Sequence, residues 1–396
     1  MNDLVLSSES LNKILESNTP SIADIFEIYQ EAITNSSELF TAARKIREKN
    51  KGANVTFSKK AFFNIINMCR DTCSYCTYKS EPDDEKLSLM SKQDIKNMLT
   101  LAKKYRCVEA LFVTGERPEQ KYQEAKEWLK KNGFASTPEY LSHASEMALE
   151  AGLFPHTNAG NLTFQELKEL KKTNVSMGLM LENVSDRLTE KNMPHHMAAS
   201  KRPQERIQVL ENAGVLQIPM TTGILVGIGE TPEEIIESIF AIKKIHDKYG
   251  NIQEVILQNF QPKQDTKMKD FPSAPETYFK IIVALTRIIM PKMNIQIPPN
   301  LSPESYQSFL SAGINDWGGI SPLTIDFINP EAPWPQIRTL QRVSAEMGLR
   351  LRQRLAVYPE YLVRKPGFIA TALEPRLRAL VDDEGYPREQ EGVTSP

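Results

Sequence analysis

The stretch AFFNIINMCRDTCSYCTYK, residues 61–79, joins two features that are seldom neighbours. It opens on an apolar run, residues 61–66, of strand length and rich in aromatic and β-branched side chains. It passes at once into Cys69, Cys73 and Cys76, three of the four cysteines in 396 residues. A strand here would put the cysteines on the loop at its C-terminal end.

Similar short apolar runs follow at 108–115, 153–158, 175–182, 218–229, 252–260, 294–298 and, weakly, 314–320. Segments of helical period separate them, and several carry start signals. Ser91 precedes one with Asp94 three residues on, and Thr163 precedes another with Glu166 in the same place, as in capping boxes. Thr231-Pro232-Glu233-Glu234 supplies an N-cap, a first-turn proline and first-turn acids. Strand then helix, repeated about eight times, predicts a parallel α/β fold, and eight units predict a single closed (β/α)8 barrel of the TIM type. An open doubly wound sheet is the competing arrangement. Residues 1–55, with the amphipathic piece SIADIFEIYQEAI, are expected to form a helical N-terminal extension to a barrel over 56–375. Residues 376–396 are polar, with Pro and Gly near the end, and are expected to be a disordered tail.

Composition is that of a globular chain, 40% hydrophobic and 25% charged, enough for a sizeable core. With 48 Lys plus Arg against 50 Asp plus Glu, nothing in the charge favours nucleic acid or an anionic membrane surface. No apolar run approaches the ~20 residues that cross a bilayer, and the N-terminus lacks the pattern of a secretory signal. A cytoplasmic location is expected. Four cysteines in so long a chain do not make a disulfide framework.

Cys69-x3-Cys73-x2-Cys76 offers three soft thiolate ligands on one loop. Structural zinc takes four ligands. Cys107 heads a later apolar run and is most simply a small buried hydrophobe, and no histidine is close in sequence. Zinc completed by a distant histidine stays open, as does a set of free thiols. Three thiolates on a [4Fe-4S] cluster, which normally takes four, would leave one iron available to a ligand.

CxxxCxxC after the first strand of a parallel barrel resembles the radical S-adenosylmethionine (radical SAM) enzymes. The resemblance implies a [4Fe-4S] cluster on Cys69, Cys73 and Cys76, whose fourth iron chelates S-adenosylmethionine (SAM). It extends to Tyr75, in the place of an aromatic that rests on the adenine, and to Gly115-Glu116 at the end of the second run, where a Gly-Glu pair meets the SAM amino group. GILVGIGE, with Gly223, Leu225, Gly227 and Glu230, is similar to the adenine-side motif of the fifth strand. Glu182 matches a polar residue that faces the SAM ribose or amino group, and also reads as a solvated strand-end acid. Arg206 matches an arginine that pairs with the SAM carboxylate, and also reads as a surface helix residue.

Within that superfamily, PHTNAGNLT (155–163), GILVGIGETPEEIIESIFAIKKIH (223–246), VILQNFQPK (255–263) and above all NDWGGISPLTIDFINPEAPWP (315–335) resemble the FO synthases, in particular their first subunit type. The resemblance covers roughly residues 50–370. It implies conversion of the tyrosine-derived hydroxybenzyl adduct of 5-amino-6-(D-ribitylamino)uracil into the deazaflavin FO (7,8-didemethyl-8-hydroxy-5-deazariboflavin), with loss of ammonia. It also implies a second FO synthase subunit (CofH type) supplying the adduct, and reduced ferredoxin or flavodoxin as electron donor. An aminofutalosine-pathway cyclase is the nearest radical SAM alternative, and a zinc-stabilised non-catalytic protein the alternative of another class.

A ring system with a ribityl tail needs an apolar wall and hydrogen-bonding groups. Trp317, Asn315, Asp316, Asp326 and Asn329 are expected at the mouth of strand eight, with His156 and Asn158 after strand three and Gln258 and Asn259 after strand six facing the same end. Trp317 also reads as packing in a tight turn, and His156 as a satisfied supporting residue. His195-His196 lies in a polar loop without an acidic partner and is not expected to bind metal. The acidic loop after Cys76, TYKSEPDDEKLSLMS, either covers the cluster or decorates the rim.

Overall fold

The computed structural model describes residues 7–17 and 19–388. Three helices come first: α1 (Glu9–Ser17), α2 (Ile22–Thr34) and α3 (Ser37–Lys51). Then β1 (Asn54–Ile66), α4 (Lys92–Lys104), β2 (Glu109–Thr114), α5 (Gln123–Lys131), α6 (Thr137–Ala151), β3 (Phe154–Asn158), α7 (Phe164–Leu170) and β4 (Ser176–Gly178) follow. The second half runs α8 (Pro203–Val215), β5 (Met220–Val226), α9 (Pro232–Tyr249), β6 (Ile252–Asn259), α10 (Glu276–Ile289), β7 (Ile295–Gln296) and β8 (Asp316–Ile320). It ends with α11 (Ile337–Glu346), β9 (Arg350–Arg354), α12 (Pro359–Val363) and α13 (Glu374–Leu380).

Strands β1 to β8 pair in sequence order, all parallel, and β1 closes the ring by pairing with both β2 and β8. This is the eight-stranded barrel the alternation predicts, and the open sheet is excluded. The capping boxes at Ser91, Thr163 and Thr231 are formed, so each helix begins where its sequence signal stands. Outward-facing strand residues such as Ala61, Phe63, Phe112 and Val255 share one core with the apolar faces of the helices, Ile235, Ile239 and Ile242 of α9 among them. Burying each such isoleucine contributes about 1.5–3 kcal/mol. Helices α2 and α3 pack on α9 and α10 as part of the same body. No helix among the described residues is long and apolar enough to cross a membrane.

Two departures have one physical cause, a polar barrel lumen. β1 starts at Asn54, before the apolar run, because its lumen-facing Ser58 and Lys60 meet Glu109 of β2. A ninth strand, β9, pairs in parallel with Asn54–Ser58 of β1. Its sequence, RLRQR, carries no apolar run; Arg354 is instead buried against Asp316 and Glu254, and Tyr358 donates to Glu254 at 2.7 Å. These residues plug the end of the barrel away from the cysteine loop. The polar tail divides. Residues 376–388 are packed, with Leu377 and Val381 buried and the Arg352 guanidinium 3.7 Å from the Tyr386 ring centre; residues 389–396 lie outside the described residues.

Candidate active site

The cysteine loop leaves the C-terminal end of β1 and is held from three sides. From β2, the Glu116 N–H donates to Cys69 Sγ at 3.2 Å, and the Arg70 N–H donates to the Glu116 carbonyl at 2.7 Å. Contact this close needs glycine before Glu116: a Cβ on Gly115 would lie 2.0 Å from the Met68 carbonyl oxygen. From the segment after β4, the carbonyls of Met197 and Pro194 accept the Thr72 and Ser74 N–H groups at 2.7 and 2.9 Å. Asp71 takes both the backbone N–H and the hydroxyl of Ser200. Tyr75, between Cys73 and Cys76, packs on Leu188, Ile228, Phe260 and Met268 beside Leu225, and its hydroxyl meets His195 Nε2 at 3.0 Å. On the third side, the acidic stretch folds back along β1. Asn67 ties to Ser80, Lys86 and Ser88, while Asp83, Asp84 and Glu85 face solvent. It belongs to the rim.

Two buried carboxylates flank the loop, each with one oxygen hydrogen-bonded and one without a hydrogen-bond donor among the described residues; the Arg70 guanidinium stands 3.8 Å from the second Glu116 oxygen. Glu116 Oε2 accepts the Asn161 N–H at 3.0 Å, and Oε1 has no hydrogen-bond partner among the described residues. Glu182, which takes a left-handed backbone (φ 66°), pairs through Oε1 with Lys201, and its Oε2 is likewise without a partner. Burial pushes the Glu116 carboxyl up. Burial acts the same way on Glu182, but the Lys201 ammonium and the Arg206 guanidinium outweigh it and hold that carboxyl below its usual range. Arg206 is buried, with its donors on the Ser200 and Met180 carbonyls at 2.8 and 3.1 Å. Gly223 accepts the Glu182 N–H at 3.0 Å. Gly227 makes the turn after β5 at φ 99°, and Glu230 closes that turn by accepting the Gly227 and Ile228 N–H groups.

The late residues are placed differently. Asn315 and Asp316, expected at the mouth, stand at the opposite end of β8. There Asn315 accepts from Arg287 and Asp316 pairs with Arg354. The weak 314–320 run hid where the strand begins. Trp317 is fully buried in the outer layer, edge-on to Tyr306, with its indole N–H 3.5 Å from Ser344 Oγ. Asp326 accepts from the side chains of Asn300 and Asn329 and from the backbone of Ile328 and Asn329. Asn259 donates to the Leu301 carbonyl, and its Oδ1 has no hydrogen-bond partner among the described residues. Asn158 and Gln258 are half-buried at the ends of β3 and β6. His156 meets Ser176 Oγ at 2.7 Å, and burial lowers its pKa to about 4. Sequence reasoning missed Asp71, Asn161, His195, Ser200 and Lys201. Asn161 lay inside the PHTNAGNLT resemblance; the others carry no local signal, since only the fold brings them to the loop.

The residues fit a cluster and SAM. Burial pushes the Cys69 thiol up to about 11 and Cys73 to about 12, so thiolates here need metal to hold them. Among the described residues, no three His, Cys, Asp or Glu side chains converge as ligands of a single ion; a cubane holds its thiolates farther apart than one ion does. The oxygens of Glu116 and Glu182 are acceptors without donors, which suits a ligand ammonium.

Fold and loop define a radical SAM enzyme, and the Radical SAM superfamily profile matches residues 63–242. The chain is 44% identical, over 335 residues, to the 7,8-didemethyl-8-hydroxy-5-deazariboflavin synthase of Methanopyrus kandleri; the match takes in 84% of this chain and all of that protein. It is 41% identical to the FO synthase of Streptomyces avermitilis, over 87% of this chain and 42% of that longer protein. Among solved structures, the FeFe-hydrogenase maturase of Carboxydothermus hydrogenoformans shares the fold, with a TM-score of 0.70 at 20% identity over 87% of this chain and 79% of that one. The chain belongs to the 7,8-didemethyl-8-hydroxy-5-deazariboflavin synthase family of radical SAM enzymes. That family membership implies a [4Fe-4S] cluster and SAM, and it favours neither the zinc reading nor the aminofutalosine cyclase.

Proposed function

We propose that this chain converts the tyrosine-derived hydroxybenzyl adduct of 5-amino-6-(D-ribitylamino)uracil into FO, with release of ammonia. The observation that carries the reading is the pair of half-engaged carboxylates, Glu116 and Glu182, on either side of the cysteine loop, in a chain matched along the whole length of a curated synthase of this product. Cys69, Cys73 and Cys76 would hold three irons and leave the fourth open. A cluster and SAM held there would supply, on one-electron reduction and release of methionine, the hydrogen-abstracting chemistry of a 5'-deoxyadenosyl radical.

The chain's own residues bind and orient. Glu116 Oε1 and Glu182 Oε2 accept from the SAM ammonium. Arg206 takes the SAM carboxylate while bracing Ser200. Tyr75, Gly223 and Gly227 bound the adenine. His195 fixes the Tyr75 ring, and the segment from Pro194 to Ser200 straps the loop so that its thiols keep their spacing. The adduct is supplied by a second FO synthase subunit; the match to the Streptomyces avermitilis FO synthase takes in 42% of that longer protein, which leaves room for a further unit there. Reduced ferredoxin or flavodoxin supplies the electron, in the cytoplasm.

The test is anaerobic reconstitution, then incubation with dithionite, SAM and adduct made in place by a second subunit. Formation of 5'-deoxyadenosine and of fluorescent FO is expected. Deoxyadenosine without FO would keep the radical chemistry and remove the substrate; a colourless zinc protein making neither would remove both.

A further inference from the structure

The barrel lumen holds a lysine that none of these roles uses. Lys60 stands on β1 beside the lumen-facing Ser58, with its side chain 15% exposed. Its charged partner is Glu109, at 3.4 Å, longer than a close ion-pair hydrogen bond. Glu109 is already engaged by the Ser58 hydroxyl. Lys60 makes no closer contact with an acid among the described residues, so ammonium donors remain open toward the lumen.

Two consecutive glycines make room for it. A Cβ on Gly319 would lie 1.0 Å from Lys60 Cε, and one on Gly318 would lie 2.0 Å from Gln296 Nε2. The double glycine that looked in sequence like a tight turn around Trp317 therefore admits two polar side chains into the barrel.

From Lys60 an aromatic wall runs to the cysteine loop. Lys60 Nζ is 5.3 Å from the Phe62 ring centre, and Trp334 stacks on the same ring at 5.5 Å with 19° between the planes. Phe62, Phe327 and Cys76 pack together on Tyr78, Leu111 and Val113. The buried Trp334 Nε1 has no acceptor among the described residues. Two polar groups along the wall, the Lys60 ammonium, loosely paired with Glu109, and the unpartnered Trp334 N–H, are both donors. A flat ligand lying there must present acceptors, and the pyrimidinedione ring of the adduct does so through its carbonyl oxygens.

We infer that Lys60 and Trp334 donate to the pyrimidinedione carbonyls of the substrate, beside the Phe62 ring. Lys60 is thus a specificity-determining residue. The inference rests on the FO synthase reading, because FO keeps the same dione ring.

The test is FO binding by the cluster-loaded protein, followed through FO fluorescence. Lys60→Met is expected to weaken binding about tenfold to a hundredfold, as for loss of a hydrogen bond to a charged group. Lys60→Arg recovers part of it, and Trp334→Phe costs a few-fold. Lys60→Met strands a buried Glu109, so the Lys60→Met/Glu109→Gln double variant is measured beside it. If the double variant unfolds at the wild-type temperature and binds FO as wild type does, Lys60 serves only Glu109 and the inference falls. If the wild type makes FO from the adduct but all variants bind FO equally, the inference falls while the function stands. If the wild type neither makes nor binds FO, both fall together.

Discussion

The loops after β1, β2 and β4 and the segment from β8 into its loop all carry acids, amides and aromatics, yet they differ in what those groups have left to do. Around the cysteines, Glu116 and Glu182 each have one oxygen hydrogen-bonded to protein and one without a hydrogen-bond donor among the described residues, the free Glu116 oxygen having only the Arg70 guanidinium 3.8 Å away. In the β8 loop, Asp326 is surrounded by four donors, and on β8 itself Trp317 lies wholly inside the outer core. A buried acceptor without a donor costs about 1–3 kcal/mol unless something arrives to fill it. A fully satisfied acceptor stabilises the loop that carries it. The first pattern suits a binding site and that of Asp326 and Trp317 suits a scaffold, even though residue types alone make them look alike; Trp334, farther along the β8 loop and with its N–H unpartnered, goes with the first.

Substitutions should separate the two. The largest effect is expected at Cys73: Cys73→Ala should abolish both iron retention and deoxyadenosine formation, read by iron analysis and chromatography. Retained iron with full SAM cleavage would end the cluster assignment. Next comes Glu116→Gln, which keeps the shape and removes the charge. SAM affinity should fall about tenfold or more, the value of a charge-assisted hydrogen bond, with little change in thermal stability. A loss of stability at unchanged SAM affinity would move Glu116 into the scaffold class.

Trp317 of β8 and Asp326 of the loop after it should respond in the opposite sense. Trp317→Ala opens a large hole in the outer layer and should cost about 3–5 kcal/mol, read by chemical unfolding. Asp326→Asn replaces an acceptor of four hydrogen bonds and should cost about 1–3 kcal/mol. In both, the KM for the adduct should stay near wild type in whatever protein remains folded. A raised KM without lost stability would return either residue to the substrate site.

The same contrast explains what could be read in the sequence. Strand order, the helix starts at Ser91, Thr163 and Thr231, and the place of the cysteine loop all follow from local patterns, because apolar runs and caps act over a few residues. β9 was invisible because its burial depends on Arg354 meeting Asp316 and Glu254, acids far away in the chain. His195 was dismissed as a polar-loop residue for the same reason: its partner, Tyr75, is 120 positions distant. Sequence leaves Trp317 open between an apolar wall at the mouth of strand eight and packing in a tight turn beside Gly318 and Gly319, and the side chain is buried in the outer layer. The glycines instead admit Lys60 and Gln296, a relation only the closed barrel creates.

His156 sharpens the comparison, since it stands in the lumen between the two regions and its effect should be the smallest. Burial lowers its pKa from 6.5 to about 4, with Glu109 acting to raise it and Lys60 and Arg354 to lower it. The folded state therefore holds the imidazole neutral where the unfolded chain would protonate it. For a base whose folded pKa is depressed, stability is unaffected well above the unfolded value and falls as pH drops from about 6.5 toward about 4. Between about pH 7 and about pH 5.5 this one group should remove about 1 kcal/mol. His156→Gln keeps a polar side chain near Ser176 but cannot titrate, so its unfolding free energy should decline by about that much less over the same interval. Equal declines in the two proteins would mean that His156 reaches water, which would place it at the open, ligand-facing end of the lumen rather than in its satisfied interior.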